Sequence, residues 1–136
     1  MTVFLADTNV VSELTRKLPD AGALRWLEAQ SALVVSAITL EELSFGVARA
    51  QPQIRKRLLA WFEALLASGP VVVAVDDRVA RAAGVLRAGA AGRGRVMSQA
   101  DALIGASALV TGRTLVTRNV RDFDGCGVPL LDPFGA

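Results

Sequence analysis

The 136 residues, 52% of them apolar, suffice for one domain with a closed hydrophobic core, and a single domain over residues 1–136 is expected. No apolar run approaches the roughly 20 residues that span a bilayer, no basic stretch opens the chain as in a signal peptide, and a lone Cys126 suits a reducing cytoplasm. His is absent, which excludes Ser–His and Cys–His nucleophile pairs and His-ligated zinc, and one Cys cannot build a thiolate zinc site.

Strand-like and helix-like segments alternate along the chain, the pattern of βαβ units and a mostly parallel sheet. A first strand over Val3 to Ala6 leads into an amphipathic stretch from Thr8 to Leu14, and a helix covers Ala21 to Gln30. A second strand over Leu33 to Ile38 is followed by a helix that Thr39 caps and that reaches Arg49. After Pro52, the residues Ile54, Leu58, Trp61, Phe62 and Leu65 recur at helical spacing as a core stripe. Val71 to Val75 is a third strand, and Asp76 caps a helix ending near Ala88. Gly89 to Arg95 reads as the most flexible segment; Ser98 then opens a helix that Gly112 closes from the C′ position. A fourth strand over Thr114 to Thr117, a loop and a short strand near Pro129 to Leu131 complete the chain.

Three acids share one address in this pattern. Asp7 follows the first strand, Glu42 comes four residues after the second, and Asp101 lies in the first turn of the helix before the fourth. In a parallel sheet such junctions gather outside the carboxyl ends of the strands, where ligands bind. Carboxylates collected there repel one another unless a cation joins them, and oxygen donors favour hard ions such as Mg²⁺ or Mn²⁺. Local readings stand beside this one. Thr39 with Glu42, and Ser98 with Asp101, fit the capping pattern of a hydroxyl followed three residues later by an acid. Asp7 alone fits a turn after a strand.

Glu42 rather than its neighbour Glu41 is expected to face the crevice, because successive helix positions differ by about 100° and Leu43 marks the buried side. Two residues compete for a fourth position. Asn119 is placed to orient a water or a phosphate, and Asp122 to add a ligand or to hold Arg118 or Arg121. Glu13, Asp20, Glu28 and Glu63 read as surface charges or local pairs.

The net charge is +2; with Asp7, Glu42, Asp101 and Asp122 set aside in one site, nine acids face 15 basic residues, leaving +6 (15 − 9). Thirteen of the 15 are Arg, whose planar fork suits phosphate. Arg93, Arg95, Arg118 and Arg121 are the candidates for a phosphate-binding rim.

Four blocks carry a family likeness: Leu5-Ala6-Asp7-Thr8-Asn9-Val10-Val11-Ser12-Glu13-Leu14, Ser36-Ala37-Ile38-Thr39-Leu40-Glu41-Glu42-Leu43, Ala100 to Ala108 around Asp101, and Leu115 to Phe123. In that order, over Val3 to Phe134, the chain resembles the PIN-domain ribonucleases, specifically the VapC-like toxins of bacterial type II toxin–antitoxin systems. The resemblance implies an α/β fold, a three-layer α/β/α sandwich around a five-stranded, mainly parallel sheet. It also implies an endoribonuclease dependent on Mg²⁺ or Mn²⁺, with RNA as substrate, 5′-phosphate products, a cognate VapB-like antitoxin, and a homodimer. Asp7, Glu42 and Asp101 match the family's three acidic positions. Many members carry a fourth acid where this chain has Asn119, so either Asp122 substitutes or three acids suffice.

Two rival functions remain. Transfer through an aspartyl phosphate on Asp7 would want an acid at position 9, where Asn9 stands, and a Lys near a strand end, whereas Lys17 and Lys56 lie elsewhere. A degenerate RNA- or protein-binding domain would keep the fold without turnover, which three intact acids oppose.

Overall fold

The computed structural model describes residues 3–135. Strand alternates with helix: β1 (Phe4–Ala6), α1 (Thr8–Val11) with a 3₁₀ turn at Ser12–Thr15, α2 (Ala21–Glu28), β2 (Val34–Ser36), α3 (Ala37–Arg49), α4 (Pro52–Ala67), β3 (Val71–Val73), α5 (Asp77–Gly92), α6 (Gln99–Val110), β4 (Thr114–Val116), a 3₁₀ turn at Val120–Phe123 and β5 (Leu130–Leu131). Every strand pairing is parallel: β1 with β4, β4 with β5, and β2 with β3. The two ladders meet where β1 lies beside β2, giving the spatial order β3, β2, β1, β4, β5.

Alternation along the strands explains the layering, since successive side chains of a strand leave opposite faces of a sheet. Leu5, Val34 and Leu115 enter one core with Val79, Ala83 and Leu86 of α5, Ala102 and Ala106 of α6, and Phe123. Their immediate successors Ala6, Val35 and Val116 enter a second core with Val10, Val11 and Leu43, flanked by Trp26 and Trp61. The result is the three-layer α/β/α sandwich. Among the described residues no helix is long and apolar enough to cross a membrane.

Helix ends follow local chemistry and correct several sequence-based boundaries. α3 starts earlier than expected, because Ser36 accepts the Ile38 N–H at 3.1 Å and caps it. Thr39 is therefore inside the helix and fully buried, and the expected capping box with Glu42 does not form. α5 runs on through Gly89 to Gly92, where a flexible loop was expected. It ends in a Schellman turn: Gly94, at φ 75°, donates to Ala91 O, and Arg95 N–H donates to Ala90 O at 2.9 Å. Gly112 closes α6 in the same way, as expected, with Arg113 N–H on Ala108 O.

The α4 stripe forms on one side of its helix, but no α4 residue is fully buried and Ile54 remains 42% exposed. The helix packs along α3 at the margin of the molecule, so the expected core stripe is a half-covered one. Of the two readings of Glu13, the local pair holds and the surface charge does not. The residue is buried, its Oε1 accepting the Asp20 N–H at 2.7 Å and its Oε2 lying 3.6 Å from Arg16; a backbone donor turned inward needs such an acceptor.

The C-terminal segment docks on α2. Asp20, the α2 cap, accepts from Ala23 N–H at 2.9 Å and from Gly135 N–H at 3.1 Å. A Cβ on Gly22 would collide with the carbonyl oxygens of Gly135 and Pro133, so only a glycine lets the tail lie this close. Gly22→Ala should therefore expose the Phe134 and Gly135 amides to faster hydrogen exchange and lower stability by about 1 kcal/mol, although alanine is the better helix former. Unchanged tail exchange with a gain in stability would contradict this docking.

Candidate functional site

β1 ends at Ala6, and Asp7 continues it as the cap of α1, its Oδ1 accepting the Thr8 N–H at 2.7 Å. The residue is 4% exposed. Its other oxygen accepts from the Thr117 hydroxyl at 2.7 Å and from the Asn9 amide at 3.2 Å. Thr117, just past β4, in turn accepts the Asn119 N–H at 3.0 Å, while Asn9 Oδ1 accepts the Arg118 N–H at 3.1 Å. The carboxyl ends of β1 and β4 are thus sewn together around one carboxylate.

Glu42 arrives from the second turn of α3, half-buried, whereas Glu41 is exposed, as helical spacing implied. The Thr8 hydroxyl donates to Glu42 Oε1 at 2.6 Å and lies 2.9 Å from the Thr39 hydroxyl. Having one proton, already committed to Glu42, Thr8 accepts from Thr39. Asp101 arrives on the first turn of α6, its N–H bound to the Ser98 cap at 3.1 Å.

The three acids line one polar cavity of about 310 Å³, together with Thr8, Asn9, Ser12 and Asn119. Among the described residues no three acids stand close enough to form a ready ligand set. Asp7 is hydrogen-bonded to Thr117 and the α1 amide, and Glu42 to Thr8. Asn119 is on the cavity wall. Asp122 is not, but its charge reaches Asp101. Of the expected Arg rim, Arg95 is engaged with loop carbonyls and Arg118 lies over the Phe134 ring, 5.0 Å from its centroid. Thr8, Ser12 and Thr117 were not singled out from sequence. The hydroxyls at positions 8 and 117 directly follow or neighbour the strand ends that flag Asp7, which is the signal that finds them.

Electrostatics marks Asp7 as the strained member. Burial pushes its carboxyl from 3.8 up to about 6; hydrogen bonds from Thr117 and Thr8 oppose this, and the charges of Asp101 and Glu42 add to it. Burial also raises Asp101, with Asp122 and Glu42 contributing in the same direction and the Ser98 hydroxyl opposing them. The three acids suit a hard divalent cation: they offer oxygen atoms alone, and their charges oppose one another.

The PIN domain family model matches residues 4–125. The chain belongs to the PIN-domain family. It is 36% identical over 141 aligned residues to VapC ribonuclease Y4jK of Sinorhizobium fredii, spanning 97% of this chain and 98% of that protein. The FitAcB structure from Neisseria gonorrhoeae superposes with a TM-score of 0.82 at 30% identity, over 96% of this chain and 97% of that one. DNA-bound VapBC from Salmonella typhimurium does so with a TM-score of 0.82 at 28% identity, over 97% and 98%. The parallel sheet, with the carboxyl ends of its strands on one edge, accounts for why residues so far apart in sequence line one cavity here.

The raised Asp7 value fixes a pH dependence. The unfolded chain releases this proton near 3.8 and the folded chain near 6, so Asp7 favours folding fully below about pH 4 and loses that advantage as pH rises through 6. In chelator-treated protein, Asp7→Asn should be more favourable to stability at pH 7.5 than at pH 4 by about 1–3 kcal/mol, because the amide carries no buried charge at either pH. Urea titrations at the two pH values check this; an equal effect at both would contradict a buried, raised carboxyl.

Proposed function

We propose that this chain is a Mg²⁺- or Mn²⁺-dependent endoribonuclease, a single cytoplasmic domain acting as the toxin of a toxin–antitoxin pair. The carrying observation is the polar cavity whose walls Asp7, Glu42 and Asp101 reach from three different chain junctions. Full-length similarity to a protein named VapC ribonuclease supports the choice of RNA.

Asp7, Asp101 and Glu42 are the residues that would hold the cation. When bound, it supplies charge stabilisation to a phosphoryl oxygen and a more acidic water at neutral pH. The protein's own part is positioning. Thr117 and Asn9 fix the Asp7 carboxylate, and the Thr8 hydroxyl fixes Glu42. Asn119 lies where an amide can orient water or a non-bridging phosphate oxygen without adding charge. Asp122 acts at one remove, through its charge on Asp101. In-line attack by a water oxygen forms a new bond to phosphorus as the bond to the 3′ oxygen breaks, and the water's protons are lost in part to the leaving 3′ oxygen, which gives a 3′-hydroxyl and a 5′-phosphate.

An antitoxin and self-association complete the proposal. A relative from Neisseria gonorrhoeae that is 30% identical bears the name Toxin FitB, and a structural relative from Mycobacterium tuberculosis is described as a member of the VapBC family of toxin–antitoxin systems. Beside the acidic cavity opens an apolar groove of about 200 Å³ whose walls include Leu43, Val47, Leu58 and Trp61, and which shares Thr8, Ser12 and Glu42 with the cavity. A partner that fills this groove and extends an Arg or Lys toward Glu42 would occupy the cation's electrostatic role. Glu42→Gln should then weaken that partner's affinity about tenfold or more, measured by calorimetry on the purified pair; indifference would place inhibition elsewhere.

The nuclease reading is tested with Asp101→Asn and single-stranded RNA. The nearly isosteric amide preserves the backbone bond to Ser98, so stability should change by only about 1 kcal/mol. Cleavage should fall at least about a hundredfold and wild-type cleavage should vanish with EDTA and return with Mn²⁺. Full turnover by Asp101→Asn would confine this residue to capping.

A further inference from the structure

Arg95 lies in the connection from α5 to α6, just after the Schellman turn at Gly94. Its guanidinium donates from Nη2 to the carbonyl oxygen of Arg121 at 2.6 Å and from Nη1 to that of Asp124 at 3.2 Å. The Asp124 carboxylate is 4.0 Å away and the pair is exposed, so the ionic contact adds little. Hydrogen bonds from a charged donor to two carbonyls are the stronger feature.

Those two carbonyls bracket Asp122. On one side of the clamp the ring of Phe123 is sunk in the core at 1% exposure. On the other, the Arg93 side chain lies against Gly125, whose φ of 76° lets the loop turn back. Three tethers therefore surround the 3₁₀ turn Val120–Phe123, which starts directly after Asn119 on the cavity wall. Three residues beyond Arg95, Ser98 caps α6 and holds Asp101. Arg95 thus ties the loop carrying Asn119 and Asp122 to the segment that aims Asp101.

We propose that Arg95 is a positioning residue, clamping the 119–124 loop against the start of α6 and so setting Asn119 and Asp122 relative to Asp101, and that it is not an RNA contact. Its effect on turnover rests on the nuclease reading above; the clamp itself does not. Lys at this position keeps the charge but lacks the planar fork that spans two carbonyls. The Lys variant therefore separates the two roles.

The test uses the full chain with Arg95→Met and Arg95→Lys. In both, hydrogen exchange at the Asp122 and Asp124 amides, which bond to Asn119 O and Arg121 O inside the loop, should accelerate about tenfold or more, with the rest of the fold unchanged. On single-stranded RNA with Mn²⁺, kcat should fall about 10- to 100-fold while KM stays within about twofold, since misplacement by about 1 Å is costly. In an Asn119→Ala background, Arg95→Met should add less than about a threefold further loss, because both changes act on one element. A raised KM with unchanged kcat, a shallower salt dependence and rescue by Lys would instead assign Arg95 to an RNA phosphate and overturn the proposal. Unchanged loop exchange in Arg95→Met would overturn it as well. Wild-type protein that cuts no RNA would refute the nuclease reading, and the exchange measurement would still decide the clamp.

Discussion

A carboxylate buried at the end of a central strand is expensive, and much of this molecule is arranged around that cost. Asp7 is 4% exposed and feels two further acids across the cavity. Ionising it there requires donors, and three reach it, the α1 amide, the Thr117 hydroxyl and the Asn9 side chain, with Asn119 N–H supporting Thr117 from behind. These bonds draw β1, β4 and the loop after β4 into one network. The same network explains why the residual imbalance is directed into the cavity, where a cation of the right hardness would relieve it. Function and stability are opposed at this point, as at many sites built for chemistry.

Legibility followed physical type. The βαβ alternation, the strand cores and the Gly112 stop were readable because each rests on local periodicity or on one residue's backbone freedom. The meeting of Asp7, Glu42 and Asp101 was readable because strand ends in parallel folds share an edge. Less legible was anything settled by competition between nearby groups. Ser36 and Thr39 both offer a capping hydroxyl, and the choice of Ser36 follows from Thr39 being buried against Thr8. Gly89 and Gly92 looked like loop residues by composition, yet buried Ala90 holds that turn helical. Glu13 read as a surface charge or a local pair, and nothing local announces that the Asp20 N–H will also face it.

The arginines show the same limit more sharply. From sequence, Arg95 and Arg118 read as a phosphate rim; in the fold, one holds carbonyls and the other lies over Phe134. Both therefore stiffen loops that border the cavity. An Arg count speaks to phosphate affinity only after such internal engagements are subtracted. The tail follows similar logic, since Gly22 admits Gly135 to the Asp20 cap and Phe134 then underlies Arg118. Segments distant in sequence thus set the flexibility of the site's surroundings.

If Asp7, Asp101 and Glu42 together receive one or more divalent cations, crystals soaked in Mn²⁺ and measured at an energy where manganese scatters anomalously should show it. An anomalous peak is expected within coordinating reach of the Asp7 and Asp101 carboxylates, with Glu42 ligating directly or through water. A crystal whose manganese binds elsewhere while this cavity shows no peak, from protein that cleaves RNA in the same buffer, would contradict it.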